Sequence, residues 1–177
     1  LFLSDPVDEL VVQGITEYQG KKLKSVEKGA VDIGSEKEKK KAQEKMEEQK
    51  ENYGDMLSTL KNKLGDKVKE VRLSNRLVSA PACLVTDEND MTPHLEKLLK
   101  NSPMAMATPP AQRILEINPD HEITGKLKER YESNPNDKSI DEYAEVLLDY
   151  AYLSEGAELP DPIRFNELLV KLIQKSI

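Results

Sequence analysis

Aromatic residues and cysteine are scarce in this chain, and their scarcity limits the kinds of protein it can be. Among 177 residues there are no Trp, two Phe and one Cys. The single cysteine, Cys83, has no partner for a disulfide within the chain, which fits a reducing compartment. The sequence contains neither a secretory leader nor the roughly 18 consecutive apolar residues that a membrane span needs. We therefore expect a cytoplasmic protein with no membrane partner.

Positive charge is also in short supply. The chain has 26 Lys and Arg against 33 Asp and Glu, which gives a net charge of -7. Because binding to phosphate groups requires a basic surface, nucleic acid is not an expected partner. Apolar residues make up 37% and charged residues 33% of the sequence. This balance predicts a modest core and a heavily charged surface, in one domain or one domain with a tail.

The residues from which active sites are built are few as well. His94 and His121 are the only histidines and lie far apart in the sequence. No Cys or His pair has the spacing of metal ligands, and no glycine-rich phosphate loop is present. Cys83 could act with a histidine as a nucleophile, but its apolar neighbours favour a buried and inert thiol. We therefore expect no catalytic residue, no metal site and no cofactor in this chain.

A run of charge opens the part of the chain that has regular patterning. Twelve of the seventeen residues from Glu36 to Asn52 are Lys or Glu, with both signs interleaved. Such a run favours a solvated helix, whereas a coiled coil needs a continuous apolar seam and here has only Ala42 and Met46. The helix should gain an apolar face further along and end at Gly65, which tolerates the left-handed conformation. That face comprises Tyr53, Leu57, Leu60 and Leu64.

Three short apolar runs predict a small sheet. They are the stretch containing Val68, Val71 and Leu73, then residues 82–85 and residues 114–117. A sheet of three short strands needs helices on at least one face, so the fold class is α+β. Asp120 is placed to cap a helix over residues 121–133.

Two amphipathic helices close the chain. Ser139 and Glu142 have the spacing of a capping box for the first, and Pro162 suits the first turn of the second. They could simply cover the sheet, or pair with the same helices of a second copy in a four-helix bundle. The predicted dimer interface consists of Tyr143, Leu147, Leu148, Ala151, Phe165, Leu168, Leu169, Leu172 and Ile173.

The segment from residue 87 to residue 110 has a short helical pattern between irregular stretches. Its apolar stripe consists of Met91, Leu95, Leu98 and Leu99. A stripe of this kind fits either a core contact or a loosely docked surface for varied partners. Met104 and Met106, which follow, add flexible apolar surface that suits the second interpretation.

The residues from Val71 to Val85, VRLSNRLVSAPACLV, resemble the central signature of the C-terminal domain of the heat-shock protein 90 chaperones. Residues 115–121, LEINPDH, provide a second and highly specific match. Shorter matches follow in the same order at residues 136–139, 153–156 and 159–162. Residues 1–34 resemble the end of the family's middle domain and a linker, and residues 35–177 resemble the dimerisation domain.

The resemblance implies a homodimer joined through the last two helices, with no ATP-hydrolysing domain in this chain. ATP and Mg²⁺ would belong to an N-terminal domain of the family that this sequence does not contain. Client proteins in a non-native state would contact the stripe at residues 91–99 and an apolar position at Leu10, where bacterial members can carry an aromatic residue. The tail lacks the acidic ending of the eukaryotic cytosolic members, so a bacterial member fits best, with an organellar one next. A helical adaptor that binds one defined partner is the main alternative.

Overall fold

The computed structural model describes residues 8, 11–12, 14–15, 17–23, 36–87 and 112–176. The chain divides into two compact units. The smaller unit comprises Leu1–Val31 and Thr86–Ala111, and the larger comprises Asp32–Val85 and Gln112–Ile177.

A short hairpin lies in the smaller unit. Strand β1 (Glu17–Tyr18) pairs antiparallel with β2 (Lys21–Lys22). Gln19 and Gly20 connect the strands with φ values of 50° and 74°. Two successive positive φ values are typical of a tight hairpin turn, because they match the twist of the flanking strands.

The larger unit has the predicted α+β class, with a three-stranded sheet and four helices among its described residues. In chain order its elements are α1 (Glu36–Leu64), a 3₁₀ turn (Gly65–Lys67), β3 (Glu70–Leu73), β4 (Ala82–Val85), β5 (Ile114–Ile117), α2 (Glu122–Ser133), α3 (Ser139–Ser154) and α4 (Pro162–Ser176). The predicted strands at 82–85 and 114–117 are therefore confirmed.

Helix α1 follows the charge pattern closely. It begins at Glu36 and ends at Leu64, and Gly65 has a φ of 55° as the predicted stop requires. The side chains of Glu44, Lys45 and Glu47 are exposed, as expected for a solvated face. The last turns of α1 are buried, with Met56, Leu57, Leu60 and Leu64 in the core.

The sheet has the order β3–β5–β4, with β5 parallel to β3 and antiparallel to β4. All four residues of the central strand β5 are buried. The register aligns Val71, Leu115 and Leu84 in one row and Leu73, Ile117 and Ala82 in another. These two rows form the apolar face of the sheet, which shares one core with α1, α2 and α3. Helix α1 packs on β3, and α3 packs on β4.

The opposite face of the sheet carries a buried carboxylate. Glu116 lies between Arg72 on β3 and Cys83 on β4. Its Oε1 accepts hydrogen bonds from Nε and Nη2 of Arg72 at 3.1 and 2.8 Å. Its Oε2 accepts from Ser74 Oγ and Arg76 Nε, both at 3.0 Å. Two guanidinium groups thus share one carboxylate that is only 4% exposed.

Cys83 does not lie in the purely apolar setting that its neighbours in sequence suggested. Its thiol is half-buried, and Nη2 of Arg76 lies 3.7 Å from Sγ. Burial raises the pKa of the Cys83 thiol, although the Arg76 charge acts in the opposite direction. The apolar neighbours of Cys83 in sequence do not predict its surroundings, because alternate residues of a strand face opposite sides of the sheet. Leu84 faces the core, whereas Cys83 faces the charged row.

The predicted helix cap at Asp120 is wrong by one residue. His121 caps α2, because its Nδ1 accepts a hydrogen bond of 3.1 Å from the backbone N–H of Ile123. The carboxylate of Asp120 is engaged elsewhere, by Lys45 Nζ at 2.7 Å and Gln49 Nε2 at 3.3 Å. These partners lie 75 and 71 residues earlier in the chain, so local spacing cannot predict them.

The predicted capping box of α3 is also wrong. Ser139 lies inside the helix, and its backbone N–H donates to Asp137 Oδ1 at 2.9 Å. A carboxylate is a stronger acceptor than a hydroxyl, so Asp137 takes the role assigned to Ser139. Nε of Arg130 donates a hydrogen bond to the other oxygen of Asp137, Oδ2, at 2.7 Å. The backbone contact with Ser139, followed by that of Arg130, lowers the pKa of Asp137 to about 2.

Candidate self-association surface

Helix α3 buries its strongest apolar stripe inside its own chain. Ile140, Ala144, Leu147, Leu148 and Ala151 are all buried, and all belong to the core shared with the sheet. Their spacing of three or four residues places them on one side of the helix, which packs on β4. The predicted stripe therefore exists, and one chain already covers it.

Helix α4 is less deeply buried in the larger unit than α3. Asp161 Oδ1 caps its start by accepting from the N–H of Arg164 at 2.9 Å, and Pro162 occupies the first helical position as predicted. The helix packs against α3. Leu168 is 1% exposed, and Phe165 and Leu172 are partly covered. These three residues mark the side of α4 that its own chain covers.

Ion pairs along one edge hold α4 in a definite rotation. Lys171 and Lys175 both donate to Glu142 of α3, the second at 3.2 Å. Arg164 Nε donates to Glu145 at 3.1 Å. The contact with Lys171 lowers the pKa of Glu142, and Lys175 adds to this effect. Three basic residues of one helix thus face two acidic residues of the other.

The remaining side of α4 is apolar and exposed. Ile163 is 74% exposed, Val170 54%, Ile173 48% and Leu169 41%. At about 100° per residue these four side chains fall within a sector of about 120°, next to the covered side. On α3, Tyr150 and Leu153 are also exposed. We call these six residues the association surface.

Exposed apolar side chains are concentrated on this surface. Among the described residues of the larger unit, eight large apolar side chains are exposed, and only Val78 and Ile123 lie outside α3 and α4. Single exposed apolar residues are normal, whereas a large contiguous apolar patch is typical of an interaction site. Among the described residues of the larger unit, α3 and α4 therefore hold most of the exposed large apolar side chains.

The residues predicted for a dimer interface fall into three groups. Leu147, Leu148, Ala151 and Leu168 are buried within one chain, Tyr143, Phe165 and Leu172 are partly buried, and Leu169 and Ile173 are exposed. Sequence reasoning missed Tyr150, Leu153, Ile163 and Val170. The seven-residue interval between Ile163 and Val170 is a helical signal, but these two residues lie beside the stripe through Leu168 and do not belong to it.

The predicted client-binding residues, Met91, Leu95, Leu98, Leu99 and Leu10, lie outside the described residues. Across the described parts of the chain, no cluster of three or more His, Cys, Asp or Glu side chains is arranged to hold a metal ion. Nor does any helix in those parts combine the length and apolar character that a membrane crossing requires.

Comparison with known proteins identifies relatives along the whole chain. The family model described as "Hsp90 protein" matches residues 1–177. The protein named "Chaperone protein HtpG" from Geobacter sulfurreducens is 45% identical over 173 residues, which cover 98% of this chain and 26% of that protein.

Two further proteins of the same name show similar values. The one from Geobacter metallireducens is 46% identical over 176 residues, with 98% of this chain and 26% of that protein covered. The one from Mycobacterium avium is 44% identical over 177 residues, with 100% of this chain and 27% of that protein covered. The chain thus spans about a quarter of the length of these relatives.

Proposed function

The chain belongs to the Hsp90 family, and from this premise we propose that it is the C-terminal dimerisation domain of a molecular chaperone of the HtpG type. The observation that carries the proposal is the clustering of six exposed apolar side chains on α3 and α4. The cost of leaving such side chains in water is removed when a second protein covers them.

A second copy of the same chain is the occupant we favour. Two helices from each of two chains can form a four-helix bundle about a two-fold axis, in which each chain offers the same patch. The charges beside the patch allow this, because Arg164, Lys171 and Lys175 are balanced by Glu142, Glu145 and Glu167. Two copies would therefore meet without local repulsion, despite the net charge of -7.

Helix α4 would contribute most of the contact. Its exposed apolar side chains lie on the side of the helix that faces away from α3. The apolar stripe of α3, in contrast, is buried in the core of its own chain. Leu147, Leu148 and Ala151 would then act indirectly, by holding α3 in place beneath α4. Leu169 and Ile173 would contact the partner directly.

Paired substitutions test this assignment. The variant Leu169→Ser/Ile173→Ser removes two apolar side chains that the chain's own core does not need, so we expect a monomer of 20.0 kDa in sedimentation equilibrium. Ile123→Ser is a matched control, because Ile123 is similarly exposed but lies on α2. A double variant that still sediments as a dimer would show that these residues are not the interface.

Client binding is the second part of the proposal, and it rests on the family resemblance alone. Met91, Leu95, Leu98, Leu99 and Leu10 would offer apolar side chains to proteins in a non-native state. Substituting Met91→Ser and Leu98→Ser together should weaken the suppression of aggregation of an unfolded test protein, with the dimer mass unchanged. A large loss of thermal stability instead would indicate that these residues belong to a core.

In the whole protein, dimerisation would keep two ATP-binding arms at a high effective concentration, since a tether makes their meeting intramolecular. ATP and Mg²⁺ would bind in the N-terminal domain that the family resemblance implies, and the location would be the cytoplasm. The alternative of a helical adaptor predicts either a monomer or a dimer that forms through α1. In either case, substitutions on α4 would leave the mass of the assembly unchanged.

A further inference from the structure

One polar residue lies in the middle of the apolar side of α4. Asn166 is exposed, and it shares a shallow surface with Ile163 and Val170. At about 100° per residue, its side chain points between those of Ile173 and Val170. Leu169 follows it by three residues and Val170 by four, so Asn166 is bordered by apolar side chains on both sides.

The polar residues at the edge of this surface differ from Asn166 in their position. Glu167, Lys171 and Gln174 line the same shallow surface on the side towards the ion pairs with α3. In a dimer they would stay at the rim, in contact with water. Asn166 would be covered, and a covered amide without a hydrogen-bond partner is unfavourable. Within the described residues its side chain forms no hydrogen bond, so in a dimer the second copy would supply the partner.

We propose that Asn166 pairs with Asn166 of the second copy across the two-fold axis and thereby fixes the register and the number of chains in the assembly; this rests on the proposed function. An asparagine amide has both a donor and an acceptor, so two copies related by a two-fold axis satisfy each other. Only residues close to the axis of such an interface meet their own counterparts. The axis would therefore pass close to Asn166.

The physical precedent is the single buried asparagine of a helical coiled coil. Such a residue lowers the stability of the assembly, because an apolar residue would pack better. It selects one register and one oligomeric state, because every other arrangement leaves the amide unpaired. The surface around Asn166 needs such a device, since Ile163, Leu169, Val170 and Ile173 are aliphatic and would tolerate several sliding arrangements.

Disulfide crosslinking tests the position of the axis. In a Cys83→Ser background, Asn166→Cys should form a covalent dimer under mild oxidation, since two residues that face each other at the axis can meet the distance a disulfide requires. Gln174→Cys is the matched control. It lies eight residues later, roughly 12 Å along the helix, so its two copies would be roughly 24 Å apart in an antiparallel arrangement. Crosslinking at 174 but not at 166 would overturn the pairing.

Replacement by an apolar residue tests the role in selectivity. The Asn166→Leu variant should self-associate about tenfold more tightly or more. It should also form species heavier than a dimer in sedimentation velocity. Glu129→Leu adds the same side chain at an exposed position of α2 and should leave the mass distribution unchanged. If Asn166→Leu remained strictly dimeric with unchanged affinity, the inference would be refuted.

Failure of the Asn166 pairing and failure of dimerisation give different results. A monomeric unmodified chain would refute the proposed function itself. A dimeric chain that fails either test at Asn166 would leave the proposed function intact and refute only the pairing of the two amides.

Discussion

The buried carboxylate of Glu116 provides a sharp prediction about stability. Glu116→Gln keeps the size of the side chain but removes the charge that Arg72 and Arg76 share. Gln also places an amide NH₂ where one of the two oxygens accepts hydrogen bonds. One of the two arginines would then face a donor, and both would lose their charge partner in a largely buried site.

The magnitude follows from the burial of the three side chains. The side chain of Glu116 is 5% exposed, whereas the side chains of Arg72 and Arg76 are 28% and 24% exposed. Removing one partner of a fully buried pair costs about 3–5 kcal/mol. Because water still reaches part of both guanidinium groups, we expect a smaller cost than in a fully buried pair, about 2–3 kcal/mol.

Urea unfolding at fixed protein concentration measures this cost. Asp120→Asn is a matched control, since it also neutralises a carboxylate paired with a cation, Lys45, but both side chains are more than half exposed. An exposed pair contributes about 1 kcal/mol or less. Equal losses of unfolding free energy in the two variants would refute the argument that burial determines the strength of the Glu116 contacts.

Two further predictions follow from α3 and its start. Leu148→Ala should lower the unfolding free energy by about 2–5 kcal/mol, because it leaves a cavity between α3 and the sheet; an undiminished stability in thermal or urea unfolding would show that Leu148 is not in the core. The pKa of Asp137 is lowered to about 2, so its stabilising effect is complete above the pKa of an unfolded Asp, about 4, and is lost as pH falls towards 2. Asp137→Asn should therefore flatten the dependence of the melting temperature on pH between 4 and 2, and an unchanged slope would contradict the assigned contacts.

The sequence was most informative where local pattern decides structure. The strands at 82–85 and 114–117 and the helix from Glu36 to Leu64 have the predicted bounds, because apolar periodicity and the glycine stop are local properties. The caps at Asp120 and Ser139 were wrong because competing partners, Lys45 and Asp137, took over the groups involved. Such competition depends on tertiary contacts as well as on spacing.

The association surface shows the same limit. An apolar stripe on a helix predicts burial, but it does not tell whether the same chain or a second chain provides the cover. Leu147 and Leu169 looked equivalent in the sequence, yet the sheet covers the first and leaves the second exposed. The stripe through Leu168 is sufficient to predict that α4 is helical, so the sequence pattern does not single out Ile163 and Val170.

Sedimentation equilibrium of the unmodified chain tests the central claim most directly. The account predicts a single reversible dimer of twice the 20.0 kDa chain mass, which dissociates when Leu169 and Ile173 are replaced by serine. A chain that stays at 20.0 kDa at the highest concentrations that remain clear of aggregation would contradict it.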